Sequence, residues 1–166
     1  MTHNTYQQNV YQQLLNSNVN FVDKTILDIG SRDGINCISM IKLGAKHIIG
    51  VDLDDTKFST INEHVEKNKI ELIKANVLDI NGKYDIITCF LWNICLPDYD
   101  RIINKIKTLV NQNGLILIGI HDELYKYGYD NIPNTGSVIE LVAKNFNYYS
   151  ILDMNDSYQW IIKISA

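Results

Sequence analysis

The chain has 166 residues, a net charge of −4 and 46% hydrophobic residues, which suffices for one domain whose core needs neither metal nor disulfide. Its lysines and arginines are scattered, which weakens a case for gripping a long polyanion by charge alone. No apolar run approaches the ~20 residues of a membrane-spanning helix, and Met1-Thr2-His3-Asn4-Thr5 has neither the basic nor the apolar part of a signal peptide.

Cys37, Cys89 and Cys95 form no CxxC pair. Buried free thiols in a reducing, cytoplasmic compartment are the expectation. Residues 5–16 place Tyr6, Val10 and Leu14 at four-residue intervals, the pattern of a short amphipathic helix leaning on the domain's edge within residues 1–20. The first strand runs Thr25–Gly30. A helix over 34–43 carries Ile35, Ile38 and Ile41 on one face, with Gly44 where a left-handed C-cap is expected. His47–Leu53 is a continuous apolar run of the kind buried on both faces of a parallel sheet, ending at Asp52 and Leu53.

Asp54, Asp55 and Thr56 offer N-caps to a second helix placing Phe58, Ile61 and Val65 inward. Ile70–Ala75 is a third strand, followed by Asn76-Val77-Leu78-Asp79. After the Asn81-Gly82 turn signal, Tyr84–Phe90 reads as strand four. Pro97-Asp98 introduces a helix with Ile102, Ile103, Ile106, Leu109 and Val110 on one face; Asn113-Gly114 stops it, and Leu115–Ile120 is strand five. The longest loop spans His121–Gly136. Ser137-Val138-Ile139-Glu140 is a capping box opening a helix that buries Val138, Leu141, Val142 and Phe146. Tyr148–Met154 and Tyr158–Ile164 flank Asn155-Asp156-Ser157 as an antiparallel hairpin. Strands alternate with helices until that hairpin, so residues 1–166 read as one α/β domain.

Thr25–Gly34 joins a strand to a helix through a turn bounded by Gly30 and Gly34, the recurrent cradle for nucleotide-like ligands in open α/β sheets. Gly30-Ser31-Arg32-Asp33-Gly34 cannot be read as GxGxxG, which argues against a nicotinamide-dependent reductase. Together with Gly50-Val51-Asp52, Ala75–Asp79 and the helix-Gly-strand run Leu109–Leu117, this loop resembles the motif series of the class I S-adenosylmethionine (SAM)-dependent methyltransferases. The likeness covers about residues 24–166. It implies a Rossmann-like three-layer sandwich, with a mostly parallel seven-stranded sheet and a C-terminal antiparallel hairpin strand. Two positions depart from the family: Arg32 stands where a middle glycine is usual, and Asn76 where an acidic residue is common.

The implied cofactor is SAM, with S-adenosylhomocysteine as product. SAM has a cationic amino-acid end, a ribose diol, a flat adenine and no phosphate. The cofactor-binding residues implied are Asp28, Gly30, Ser31, Gly34, Asp52, Leu53, Asn76, Val77 and Phe90. Gly30 and Gly34 allow close backbone approach. Asp52 can accept from the ribose hydroxyls. Asp28 can hold the loop through backbone N–H groups or face the ammonium. Leu53 and Val77 can sandwich the adenine, Asn76 can accept from its amino group, and Phe90 lies where backbone would meet the methionine moiety.

Methyl transfer needs mainly alignment, and a base only if the acceptor must lose a proton. His121 and Asp122 are the catalytic candidates, His121 on pKa grounds, with Trp92, Asn93 and Tyr125 nearby. Strand four ends Cys89-Phe90-Leu91-Trp92-Asn93, without the Asn/Asp-Pro-Pro-aromatic signature of enzymes that methylate base or amide nitrogens. No metal is expected. The acceptor expected from the resemblance is an oxygen or nitrogen of a small molecule, sugar or RNA. Without a lid-sized insertion, the acceptor pocket needs the N-terminal helix, loop 121–136, or a partner, either a second copy or another subunit. The competing reading is a non-catalytic SAM-fold binding or regulatory subunit of a methyltransferase complex.

Overall fold

In the computed structural model, residues 11–63, 67–90, 99–121, 135–153 and 159–166 are described. Helical residues 11–16 (α1) precede β1 (Thr25–Ile29), α2 (Ile35–Lys42) and β2 (His47–Asp52). Two 3-10 segments, Phe58–Glu63 and Lys67–Lys69, lead into β3 (Ile70–Lys74), and a third, Val77–Asp79, lies before β4 (Tyr84–Cys89). The chain continues through α3 (Tyr99–Leu109), β5 (Val110–His121), α4 (Thr135–Asn145), β6 (Tyr149–Asp153) and β7 (Gln159–Ser165).

The seven strands form one sheet in the order β3-β2-β1-β4-β5-β7-β6. β1 pairs in parallel with β2 and β4, and β2–β3 and β4–β5 are also parallel. β7 runs antiparallel between β5 and β6, which is the expected closing hairpin. The chain moves outward from β1 to β3 and then returns to the other side of β1. The strand order therefore reverses between β1 and β4, where open α/β sheets bind ligands beyond the carboxyl ends of their strands.

Alternation along each strand feeds two apolar layers. Leu27, Val51, Ile87, Ile116 and Ile162 share one cluster with Ile102, Ile103 and Ile106 of α3 and Val138 and Val142 of α4. Ile26, Ile48, Ile86, Leu117 and Ile161 share the other with Cys37, Ile38, Met40 and Ile41 of α2. Leu14 of α1 lies buried in that second cluster beside Phe21; Tyr6 and Val10 lie outside the described residues. Both faces of the central strands are thus covered, and this explains the unbroken apolar runs of β1, β2 and β4. The sheet with helices on both faces is the Rossmann-like three-layer α/β architecture expected.

Three local expectations are corrected. The second helix is not α-helical: 3-10 turns replace it, with Ile61 buried, Phe58 half-buried and Val65 outside the described residues. The run Phe58–Glu63 is made mostly of residue types with modest helix propensity, Ser, Thr and Asn among them. Strand five starts at Val110, immediately after α3, where Val110 pairs with Tyr84 before the register shifts. Asn113, at φ 63°, absorbs that irregularity inside the strand rather than ending the helix. The last helix starts earlier than the capping box predicts: α4 begins at Thr135, which places Ser137 within its first turn.

Candidate active site

Period two places Ile26 and Asp28 of β1, Ile48, Gly50 and Asp52 of β2, and Ile86 and Thr88 of β4 on the α2 face of the sheet. The register sets Gly50, Asp28 and Thr88 side by side across three strands. Gly50 is required to be small. A Cβ there would stand 2.6 Å from Leu72 Cδ2 and 2.7 Å from Ser31 Cβ, well inside contact distance. The loop after β1 thereby lies directly on β2.

That loop is fastened through its backbone. The N–H groups of Gly30 and Ser31 donate to the Val51 carbonyl at 2.8 and 3.1 Å, and Gly34 N–H donates to the Ser31 carbonyl at 2.8 Å. Gly30 and Gly34 take φ of 76° and 74°, the left-handed region glycine enters without strain. Arg32 also adopts this conformation, at φ 51°. Its side chain is exposed, and its N–H donates to Asp52 Oδ2 at 2.8 Å. The substituted middle position therefore keeps a glycine-like backbone.

Asp52 closes the arrangement. Its other oxygen accepts from Asp54 N–H at 3.0 Å, and its carbonyl accepts from Ala75 N–H at 2.9 Å. The carboxyl ends of β1, β2 and β3 are thus linked through one residue. A carboxylate has about four acceptor sites, so two remain for a ligand's hydroxyls. The side-chain carbonyl of Asn76 accepts from Leu78 N–H at 3.0 Å and caps the turn Val77–Asp79.

The other candidates are divided by the fold. Leu53 is 66% exposed, whereas Val77 is 5% exposed and belongs to the α3-side core cluster. Ser31 is buried against Gly50, with its Oγ unpartnered among the described residues. Phe90, just past β4, lies over Gly119: a Cβ on that glycine would meet Phe90 Cδ1 at 2.6 Å. His121 ends β5, its backbone paired with Gln159. Its side chain, together with Trp92, Asn93, Asp122 and Tyr125, lies outside the described residues.

Asp28 has an unexpected setting. It is 1% exposed. Its Oδ1 accepts from Thr88 Oγ1 at 2.6 Å and its Oδ2 from Cys37 Sγ at 3.3 Å. It therefore joins β1 to β4 and α2, not to the loop backbone. Burial pushes its carboxyl up to about 6, against the opposing hydrogen bonds of Thr88 and Cys37; the charges of Asp52 and Asp33 raise it further. Burial, and next the Asp28 charge, also push the Cys37 thiol well above its ordinary range. Neither Thr88 nor Cys37 stood out as a site residue in the sequence. A threonine inside the otherwise apolar run of β4 was the available signal.

The donor set fits a cationic, phosphate-free ligand. Asp28 and Asp52 lie on one face behind a backbone loop, and Ser31 Oγ adds a buried polar atom without a described partner. Among the described residues, no group of three or more His, Cys, Asp or Glu could hold a metal ion. This pairing of a glycine-bounded loop with a carboxylate at the next strand's end, on a seven-stranded sheet closed by a hairpin, defines the SAM-binding class of Rossmann-like folds.

A family model described as a methyltransferase domain matches residues 3–157, and the chain belongs to that family, the class I SAM-dependent methyltransferases. The family's members are enzymes and SAM is their cofactor, as the motifs implied. A ribosomal protein L11 methyltransferase of Clostridium perfringens is 31% identical over 135 residues, covering 78% of this chain and 42% of the relative. The chain thus spans less than half the length of that relative. Among solved structures, a SAM-dependent methyltransferase from Mesorhizobium loti superposes with a TM-score of 0.74 at 10% identity, covering 95% of this chain and 98% of the other. Magnesium protoporphyrin IX methyltransferase from Synechocystis PCC 6803, crystallised with SAM bound, gives 0.66 at 14%, covering 96% and 79%. At these identities the structural likeness concerns the fold.

Proposed function

We propose that this chain transfers the methyl group of SAM to an oxygen or nitrogen acceptor, a small molecule, sugar or RNA, in the cytoplasm. The observation that carries the reading is the hydrogen bond from Arg32 N–H to Asp52, which holds the glycine-bounded loop against the one carboxylate placed for a ribose. When bound, SAM supplies a methyl group on a sulfonium, already activated for in-line displacement. The chain's own work is then positional. Gly30 and Gly34 let backbone approach the amino-acid end, Asp52 accepts from the ribose hydroxyls, and Leu53 and Asn76 lie at the adenine end. Phe90, with Val77 packed behind the turn, shapes the floor. Alignment of this kind gives effective molarities on the order of 10⁵ M or more.

His121 and Asp122 are assigned to the acceptor side, His121 as the base where the acceptor must lose a proton. A second copy or a partner subunit completes the acceptor pocket. Because relatives carry the name ribosomal protein L11 methyltransferase, a protein acceptor belongs in the screen beside sugars and RNA. The alternative, a non-catalytic SAM-binding subunit, is favoured by Arg32 in place of the middle glycine and by the missing Asn/Asp-Pro-Pro-aromatic acceptor motif.

Calorimetric titration with SAM, S-adenosylhomocysteine and NADH tests the cofactor. Micromolar SAM binding, strongly weakened in Asp52→Ala, is expected; no SAM binding by the intact protein would overturn both readings. A radiolabelled-methyl screen over sugars, RNA and peptides then separates enzyme from binding subunit. His121→Ala is expected to lower turnover at unchanged SAM affinity, and unchanged turnover removes His121 as base.

A further inference from the structure

The two edges of the sheet, β3 and β6, are defended differently. An edge strand leaves a row of backbone N–H and C=O groups unpaired, and proteins commonly guard it with charge. β3 is guarded. Lys67 and Lys69 lead into it, and it carries Glu71 and Lys74, the latter paired with Asp55 at 3.0 Å. β6 is not, since no charged residue occurs from Asn145 to Leu152. Instead, Tyr148 just before the strand is 76% exposed, and Tyr149 and Ile151 within it are each 39% exposed. Ser165 N–H donates to the Tyr148 carbonyl at 3.3 Å, so Tyr148, Ser150 and Leu152 turn their backbone groups toward β7. Those of Tyr149 and Ile151 point to the open edge, where no described strand pairs with them. The register also carries two apolar rows outward to that edge. Ile116, Ile164 and Tyr149 make one, and Ile118, Ile162 and Ile151 make the other. The four isoleucines lie in the core cluster beneath α3 and α4, but the rows end part-exposed.

We propose that this edge is a self-association surface: two copies of the chain pair antiparallel through β6, about a two-fold axis at Ser150. The occupant is a second copy because the edge complements itself. A two-fold axis perpendicular to the sheet keeps every side chain on its own face, so opposed residues must be an even number of positions apart. With the axis at Ser150, Tyr149 of each copy opposes Ile151 of the other. These are the residues whose backbone groups are open, and each such pair exchanges two hydrogen bonds. Each pair also sets an aromatic against a β-branched side chain, a favourable cross-strand match, and continues the apolar rows across the junction. Tyr148 opposes Leu152 on the other face. No like charges meet along the strand, although the chain carries −4. An axis at Ile151 would instead place Tyr149 opposite Asp153 and interrupt a row. β6 runs in the same direction as β1, β2 and β4, so the axis turns the two ligand crevices to opposite ends of the joined sheet. This pairing therefore does not itself close the acceptor pocket, and it stands independently of the SAM-binding reading.

Sedimentation velocity of the full chain at rising concentration tests this. A junction of one strand pair is small, so monomer is expected to give way to dimer between about 1 and 100 μM. Ile151→Lys, which puts a charge on the open edge, is expected to weaken dimerisation at least about tenfold, with circular dichroism unchanged. The register has its own readout. The axis brings the two Ser150 Cα atoms to about 4.5 Å, as in a non-hydrogen-bonded antiparallel pair, within reach of a disulfide. Mild oxidation should therefore link Ser150→Cys into covalent dimers. Leu152→Cys, roughly 14 Å from its counterpart along the strand, should show only the wild-type level of linking set by the native cysteines. Should Ile151→Lys fail to fold, the two cysteine variants decide. A wild type that stays monomeric through about 100 μM, a dimer that persists in folded Ile151→Lys, or Ser150→Cys linking no better than Leu152→Cys would each overturn the proposal. None of these outcomes touches the SAM-binding reading, which the calorimetric titration tests by itself.

Discussion

Asp28 at the carboxyl end of β1 and Asp85 at the amino end of β4 lie on neighbouring strands, and both accept hydrogen bonds, yet the fold drives them in opposite directions. Asp85 accepts from the backbone N–H and hydroxyl of Thr25, each at 2.9 Å, and from the Asn111 side-chain amide at 2.9 Å. The Thr25 N–H holds its carboxyl below the usual range, outweighing partial burial, with Asn111 and the Thr25 hydroxyl assisting. It ties the start of β1 and the irregular start of β5 to β4. Asp28 is enclosed and its anion is disfavoured. The amino end of the sheet therefore uses a carboxylate as a fastening, while the carboxyl end stores one in an unfavourable state. Such local departures from the stability optimum cluster where a site must act on something.

The sharpest break of this comparison is Asp52→Ala. Removing the carboxylate assigned to two ribose hydroxyls, at about 1.5–3 kcal/mol for each hydrogen bond to a charged group, is expected to weaken SAM binding by roughly 100-fold or more in a calorimetric titration. Next comes the pH dependence of the free protein's stability. The Asp28 pKa is raised from 3.8 to about 6 in the fold, so between these values the folded state holds a proton that the unfolded state has lost. Its contribution is fully present below about pH 4 and is lost as pH rises through 6, a loss of roughly 3 kcal/mol. Denaturant melts across pH 4 to 7 should show that slope in the wild type and not in Asp28→Asn.

A smaller effect is expected at Gly50. Alanine there would collide with Leu72 and Ser31, and overpacking of this kind costs about 1–3 kcal/mol; the melting temperature should fall and SAM affinity with it. Smallest is Asp85→Ala, at about 1–2 kcal/mol for hydrogen bonds on a partly exposed group. Its sign is opposite to that of Asp28. The depressed pKa of Asp85 contributes stability that is present above about pH 4 and lost as pH falls through the folded value. SAM affinity should stay unchanged in Asp85→Ala, and a fall at matched stability would show that the two ends of the sheet are coupled.

Much of this was legible in the residue order. β1, β2 and β4 were readable because strands buried on both faces are continuous apolar runs, and the loop because two glycines bound it between a strand and a helix. Asp52 was readable as a carboxylate at a strand end. The stretch after Asp54 was not, because N-cap residues announce a helix while the Ser, Thr and Asn that follow weaken it to 3-10 turns. Val110 was read as helical because its spacing continues the apolar face of α3, but pairing with Tyr84 takes it into the sheet. That Val77 joins the α3-side cluster beside the turn capped by Asn76 was not readable either, because it depends on the packing of that turn.

The sequence by itself determined the α/β alternation, the hairpin, the glycine-bounded loop and the methyltransferase motif order, since all of these are written in local periodicity and short spacings. Only the tertiary structure decided what the acidic residue two positions before that loop, Asp28, does. Thr88 is 60 positions from Asp28 in the chain, and Cys37 lies across the loop on α2. The parallel register of β1 with β4 brings the first to it, and the packing of α2 on the sheet brings the second. Side-chain partners and burial set the state of a carboxylate, and both are properties of the assembled layers, not of neighbours in sequence.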